Sequence, residues 1–246
     1  MINKIALSHQ EPTSKPRSRG NSQALFSILL AFVPLVVFGV IGTRLGAGTF
    51  LGGMLITLGY ILTIVVASVV LKLGGTGWRE IGLARPNSWP RTVLLGITAL
   101  VGVFLVVNAV QWIALNLPGL TTEPADVSRF DPIAGNLPLF LLYTALAWTT
   151  ITFGEEMFFR AFLISQLEDV FLGAKIRTAL AVLGSTFAFG LAHYQEGPVG
   201  MLTTAAIGLI FALIYLRTGR NLWVTIIAHG LANTLRFVFI FLSSTQ

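Results

Sequence analysis

Apolar runs long enough to cross a lipid bilayer recur along almost the whole chain. Seven are evident, at residues 24–43, 50–71, 92–116, 137–166, 178–193, 199–216 and 221–242. In lipid, only helices and closed barrels satisfy every backbone polar group, and continuous apolar runs of this length favour helices. Because a transmembrane helix needs about 20 apolar residues, the sequence predicts an all-α fold, a polytopic transmembrane helical bundle of about seven helices.

The composition supports the bilayer as the solvent of this chain. Of its 246 residues, 54% are hydrophobic and only 11% are charged, whereas a soluble domain carries roughly 25% charged residues. We therefore expect the lipid bilayer to be its main partner. The absence of cysteine excludes disulfides, thiolate metal sites and cysteine nucleophiles. The net charge of +6 comes from basic residues scattered in short loops, a pattern that does not indicate nucleic-acid binding.

The basic residues indicate how the bundle is oriented. Residues 1–23 are polar and are predicted to form a disordered cytoplasmic tail, followed by a bundle over 24–242. With the N-terminus in the cytoplasm, most Lys and Arg residues fall on the cytoplasmic side: Lys4, Lys15, Arg17, Arg19, Lys72, Arg79, Arg85, Arg91, Lys175, Arg177, Arg217 and Arg220. The positive-inside rule expects this bias. We predict an integral protein of a bacterial plasma membrane with a cytoplasmic N-terminus.

Two adjacent carboxylates interrupt the span at 137–166, where an ionisable group costs roughly 2.5–3.5 kcal/mol. Glu155 and Glu156 are the only acidic residues that the pattern places inside a span. Glu156 and Arg160 are four residues apart on one helix face and are predicted to pair as local support. Glu155 then lacks a local partner. The alternative is that this segment is the solvated cytoplasmic end of the span.

Two histidines and an asparagine also fall in apolar spans. His193 follows Phe189 by one helical turn, and His229 shares a helix face with Asn233. Taken singly, His193 is more typical of an interfacial residue than of a catalyst, and His229 with Asn233 is as typical of a hydrogen-bonded helix contact as of a site. Together with Glu155 they lie on three helices, and residues so placed can converge in the core of a bundle.

Elimination points to activation of water as the chemistry of such a site. The sequence contains no pair of aspartates in a span, no His-Glu-x-x-His and no Gly-x-Ser-x-Gly. Glu155 could act as general base, with His193 orienting the same water. His229 and Asn233 could donate hydrogen bonds to a developing oxyanion, each worth about 3 kcal/mol.

The order of these motifs resembles a known family. Glu-Glu-x-x-x-Arg, Phe-x-x-x-His and His-x-x-x-Asn on successive spans are similar to the CPBP family of intramembrane proteases. This is the type II CAAX prenyl endopeptidase and bacteriocin-immunity (Abi) group. The matching residues are Glu155, Glu156, Arg160, Phe189, His193, His229 and Asn233. The resemblance covers about residues 75–240 and includes a Trp78…Gly82-Leu83 segment.

The resemblance implies an intramembrane endopeptidase whose water-filled cavity opens to the cytoplasm and the membrane. It implies that Glu155 and His193 activate water, and that His229 and Asn233 bind the oxyanion. The expected partner is a hydrophobic or lipid-anchored peptide substrate; the prenylated tripeptide of eukaryotic relatives is not assumed. No cofactor is expected, although Glu155, His193 and His229 could ligate zinc and leave one position for water.

Two other classes of function remain open at this point. A non-catalytic member of the same family could act in peptide binding, bacteriocin immunity or scaffolding with the same cavity. A transporter or proton relay also uses Glu and His in spans. That class would predict internal repeats, and none is evident in the sequence.

Overall fold

The computed structural model describes residues 20–116 and 128–243, and within them it is helical without strands. Seven helices are found: α1 Asn21–Arg44, α2 Phe50–Leu73, α3 Trp89–Asn116, α4 Leu137–Val170, α5 Arg177–Ala192, α6 Gly197–Arg217 and α7 Leu222–Leu242. All but α5 are long and apolar enough to cross a membrane. The predicted helical bundle is confirmed. Most of the predicted tail lies outside the described residues.

Helix α4 departs from regular α-helical geometry around its two glutamates. It is π-helical over Ala147–Thr152 and again over Glu156–Leu163. Wider turns of this kind occur mainly as single insertions and often lie at functional sites. The change in pitch alters the direction of the side chains that follow each other along α4. Spacing in the sequence alone therefore gives only part of the geometry here.

Contacts between connections fix which helix ends lie together. At one end, Tyr215 Oη donates to Ile81 O over 2.6 Å, and Arg220 donates to both oxygens of Glu168 at 2.8 Å. Burial alone would lower the pKa of Arg220, but the hydrogen bonds to Glu168 outweigh burial and raise it. We call this the basic end, because these cations lie at or beside it: Lys72, Arg79, Arg85, Arg91, Lys175, Arg177, Arg217 and Arg220.

The opposite end of the bundle, here called the far end, holds the remaining connections. Thr43 at the end of α1 donates to Gln195 Oε1 over 3.1 Å. Arg129, which precedes α4, donates to Glu196 Oε1 over 2.7 Å. The far end therefore joins the α1–α2 turn, the segment before α4 and the turn after α5.

Aromatic side chains of α4 fill the bundle between the glutamates and the basic end. Phe158 and Phe162 stack with their ring centroids 5.6 Å apart, and Phe32 of α1 meets Phe158 edge-on at 4.8 Å. We call this fully buried layer the aromatic floor; it also includes Phe159 and Leu163.

The outer surface of the bundle is apolar as well. Large hydrophobic side chains such as Phe26, Phe50 and Phe104 are mostly exposed. Exposed apolar surface on this scale marks contact with another apolar phase, and the long apolar helices identify that phase as lipid. The chain is an integral membrane protein.

Candidate active site

The two glutamates of α4 meet His229 of α7 in the middle of the bundle. Glu156 Oε1 lies 2.9 Å from His229 Nδ1, and Glu155 Oε2 lies 3.6 Å from His229 Nε2. Because an ionised carboxylate only accepts hydrogen bonds, Nδ1 of His229 carries a proton. One imidazole therefore stands between two carboxylates, an arrangement that links α4 to α7.

These charged groups are buried. Glu155 is 3% exposed and Glu156 is 0% exposed, so they do not form the solvated end of a span. The neighbours Met157, Phe158 and Phe159 are also buried and keep the surroundings apolar. Buried charges persist only where they are paired or hydrogen-bonded. Each glutamate should therefore have identifiable partners.

Glu156 is balanced by Arg160, one turn further along α4. Arg160 Nε lies 3.3 Å from Glu156 Oε2, and the arginine is 1% exposed. Its guanidinium also lies 4.0 Å from the ring centroid of Phe189 and 5.4 Å from that of Phe211. Aromatic faces attract a desolvated cation. The structure thus places the i,i+4 partners together and surrounds the guanidinium with aromatic rings.

Glu155 has a partner that the sequence analysis missed. Tyr60 of α2 is buried, and its hydroxyl donates to Glu155 Oε1 over 2.7 Å. This bond occupies one carboxylate oxygen and leaves Oε2 on the side of His229. A tyrosine in the middle of an apolar span could have been a signal, because a buried phenolic hydroxyl normally finds a hydrogen-bond partner.

Asn233 lies one turn beyond His229 and bonds to α4 as well. Its Nδ2 donates to Thr152 Oγ1 over 3.0 Å. Nearby, Trp148 Nε1 donates to Thr234 Oγ1 over 2.9 Å. The indole of Trp148 packs against Gly230, where an added Cβ would lie 2.5 Å from the ring. These contacts set the register of α7 against α4, and Gly230 makes room for Trp148.

The ring of Phe189 lies between His193 and the Glu155–His229–Glu156 cluster. His193 follows the last residue of α5, and its Nδ1 lies 2.9 Å from Phe189 O. A carbonyl only accepts, so Nδ1 donates and Nε2 is not used in this bond. Its ring centroid is 4.9 Å from that of Phe189, which in turn lies 6.4 Å from that of His229. Both histidines therefore contact the same aromatic side chain.

A third buried acid lies close to the far end. Glu196 is 3% exposed, bonds to Arg129 at 2.7 Å and accepts from Thr204 at 3.4 Å. Glu155 and Glu156 are therefore not the only buried acids of the described residues. Arg236 of α7 lies within electrostatic range of both Glu196 and Glu155. The burial of Glu196 could not be predicted from the sequence, because its partner Arg129 is 67 positions away.

A metal ion would need several donor side chains close together. Within the described ranges, no three His, Cys, Asp or Glu side chains are grouped closely enough to hold one ion. Glu155 and His229 are neighbours, whereas His193 is connected to them through Phe189. A zinc ion on these three residues would require His193 to move, and the expectation that no cofactor is needed stays a prediction.

The fold and the site together define a polytopic membrane protein with a buried glutamate–histidine cluster. Residues 136–235 match the family described as Rce1-like, type II CAAX prenyl endopeptidase Rce1-like. The matched region contains all seven motif residues and confirms the resemblance over this part of the chain. The Trp78…Leu83 segment lies outside the match. No curated protein and no solved structure matches the chain. At the level of the family, the description indicates a protease.

Proposed function

We propose that this chain is an intramembrane endopeptidase that hydrolyses a membrane-associated or hydrophobic peptide, with Glu155 as general base. The main observation in support is the position of His229, whose two ring nitrogens face Glu155 and Glu156 in a buried site. A carboxylate and an imidazole are then neighbours, and the amide of Asn233 lies one helical turn beyond that imidazole. The family match over residues 136–235 supports the same class of reaction.

The charges of the cluster support a donor role for His229. Two carboxylates and the Arg160 guanidinium leave one uncompensated negative charge. The imidazole of His229 lies between the two carboxylates, and buried charges are stable only when neighbouring groups compensate them. Its Nε2 faces Glu155 Oε2 across 3.6 Å, which is longer than a hydrogen bond. A water molecule or an oxyanion in this region would be within reach of both groups.

Hydrolysis follows from these positions in two steps. Glu155 Oε2 takes a proton from water while the water oxygen bonds to the peptide carbonyl carbon, and the C=O π electrons become an oxyanion. The oxyanion then re-forms the carbonyl, the C–N bond breaks, and Glu155 returns its proton to the leaving amine. The hydroxyl of Tyr60 holds Oε1, so Oε2 is the oxygen that faces the reactants.

The remaining residues orient the water and stabilise the oxyanion. The bond from Nδ1 of His193 to Phe189 O leaves Nε2 to orient the attacking water. Asn233 uses one N–H on Thr152 and has a second available, which can join His229 as an oxyanion donor. Each such donor contributes about 3 kcal/mol to lowering the barrier.

This mechanism uses no cofactor, and the zinc alternative is open to a direct test. Zinc held by Glu155, His193 and His229 would supply a polarised water. Purified protein that keeps its activity in the presence of a chelator supports the metal-free mechanism. Loss of activity that zinc restores would replace it.

The substrate and the activity can be found in one experiment. Membrane peptides are compared between bacterial cells that carry the wild type, Glu155→Ala or the surface control Glu80→Ala. We expect uncleaved precursors to accumulate with Glu155→Ala alone. Identical peptide profiles in all three strains would contradict the proposal. A host phenotype that survives Glu155→Gln without any cleavage would favour the non-catalytic binding role instead.

A further inference from the structure

We propose that the connection between α2 and α3 forms, together with Trp223 of α7, a binding site for the phosphate headgroup of an anionic phospholipid. This site lies at the surface of the basic end and is separate from the glutamate–histidine cluster. The inference does not depend on cleavage. It is carried by a fixed connection, a groove, two arginines without acidic partners and a wall of indole rings.

The connection between α2 and α3 is held firmly against the bundle. Trp78 Nε1 donates to Ser68 Oγ of α2 over 2.8 Å. Gly82 has a φ of +120°, and a Cβ added there would clash with Arg220 O in the turn between α6 and α7. Only glycine adopts this conformation readily. The connection therefore folds back onto the α6–α7 turn and keeps its side chains in fixed places.

A groove of about 390 Å³ lies where this connection meets the start of α7. Sites for small molecules typically have volumes of about 300–1,000 Å³. The groove combines two cations with apolar and aromatic side chains. Its walls are Arg79, Leu83, Ala84, Arg85, Trp89 and Trp223.

The two arginines of the groove are free to bind an anion. Both Arg79 and Arg85 are exposed, and no acidic side chain of the described residues forms an ion pair with either. Glu80, which is adjacent to Arg79, accepts from the backbone N–H of Gly77 over 2.9 Å. A guanidinium binds the oxygens of a phosphate through two parallel hydrogen bonds. The groove therefore offers two such donors to one phosphate.

The indole rings of the groove indicate that it lies at the level of the lipid headgroups. The rings of Trp89 and Trp223 meet edge-on, with centroids 5.3 Å apart. Trp223 Nε1 donates to Ala84 O over 3.1 Å, which ties α7 to the connection. Tryptophan is enriched at the boundary between membrane and water. Basic pockets between helices at this depth bind anionic lipid headgroups.

A row of exposed apolar side chains distinguishes a lipid from a soluble phosphate as the occupant. Trp89 begins α3, and the residues that follow it at intervals of four are Val93, Ile97 and Val101, all of them exposed. Residues four apart lie on one face of a helix. An acyl chain can lie along this face while its phosphate occupies the groove.

The site can be tested with delipidated, full-length protein in detergent. The unfolding midpoint is followed during titration with phosphatidylglycerol, with zwitterionic phosphatidylcholine or with inorganic phosphate. Arg79→Gln/Arg85→Gln removes the two cations of the groove. Lys175→Gln/Arg177→Gln is the matched control, because it removes two exposed cations from the same end outside the groove.

We expect phosphatidylglycerol to raise the midpoint of the wild type and of the control in a saturable way. The concentration for half the effect should rise about 30-fold in Arg79→Gln/Arg85→Gln, since each cation near an anionic lipid contributes a factor of about five. If that variant does not fold, Arg85→Gln is compared with Lys175→Gln.

Three results would overturn the inference. The first is an equal loss of affinity in the control, which would show attraction by net charge alone. The second is equal stabilisation by phosphatidylcholine, or none by either lipid. The third is equal stabilisation by inorganic phosphate, which would assign the groove to a soluble anion.

Discussion

The halves of the bundle on the two sides of Glu155 and Glu156 are built differently. Toward the basic end, the phenyl rings of the aromatic floor and the Glu156–Arg160 pair leave almost nothing exposed. Toward the far end, polar side chains such as Asn233 become progressively more accessible. The first half holds the charges of Glu156 and Arg160 in place, and the second half is the more accessible one.

The comparison predicts that substitutions of the two adjacent glutamates have different effects: one on cleavage and the other on stability. Glu155→Gln should lower cleavage by about 10²- to 10⁴-fold, because a neutral amide cannot act as base. Its stability should change little, since the Tyr60 hydroxyl can still donate to the amide oxygen. Turnover of a peptide found in the proteomic comparison measures the effect, with Glu168→Gln as control. Equal turnover in the two variants would contradict the role of Glu155.

Glu156→Ala should instead destabilise the protein, by about 3–5 kcal/mol, because the buried Arg160 guanidinium loses its partner. Thermal unfolding in detergent measures this loss. The double variant Glu156→Leu/Arg160→Met removes both charges and should regain most of the stability without regaining cleavage. If Glu156→Ala is as stable as the wild type, the stability of the bundle does not depend on the Glu156–Arg160 ion pair.

Contact between α4 and α7 should tolerate no added volume at Gly230. An alanine Cβ would lie 2.5 Å from the Trp148 ring, and overpacking of this kind costs about 1–3 kcal/mol. Gly102→Ala in α3 is the matched control, since a Cβ there meets no atom within 4 Å. The unfolding midpoints of both variants test the prediction. Equal unfolding midpoints would mean that α7 can move away from Trp148 of α4 without loss of stability.

Tyr60→Phe should produce a smaller loss, about tenfold in cleavage, which corresponds to about 1.4 kcal/mol. The variant keeps the ring in place and removes only the hydrogen bond to Glu155 Oε1. Turnover is compared with Tyr143→Phe, a half-buried tyrosine near the far end. If the two variants have the same activity, Tyr60 supports packing and does not position the carboxylate.

The smallest effect is expected at the surface of the basic end. Glu168→Gln removes the ion pair with Arg220, whose side chain is 35% exposed. Such pairs contribute less than about 1 kcal/mol and are weakened by salt. The unfolding midpoint should fall slightly at low salt and hardly at all at high salt, with cleavage unchanged. A loss of stability as large as that of Glu156→Ala would show that the surface ion pair matters as much as the buried one.

Relationships within one helix could be predicted from the sequence, and those between helices could not. The pairing of Glu156 with Arg160 follows from their i,i+4 spacing. The Tyr60–Glu155 bond spans 95 positions and the Arg129–Glu196 bond spans 67. Such contacts depend on the rotation and depth of packed helices, and no periodicity in a single run reports them. The π-helical turns of α4 also change the directions in which its side chains point, so i,i+4 spacing does not predict them there.

By itself, the sequence determined the all-helical bundle and the i,i+4 pairing of Glu156 with Arg160. It could do so because hydropathy and i,i+4 spacing are local properties of a chain in lipid. Only the tertiary structure decided that His229 stands between the two glutamates, that Tyr60 bonds to Glu155 and that Glu196 is buried. These features depend on the depth at which each side chain meets its neighbour, and that depth is set by the packing of all seven helices.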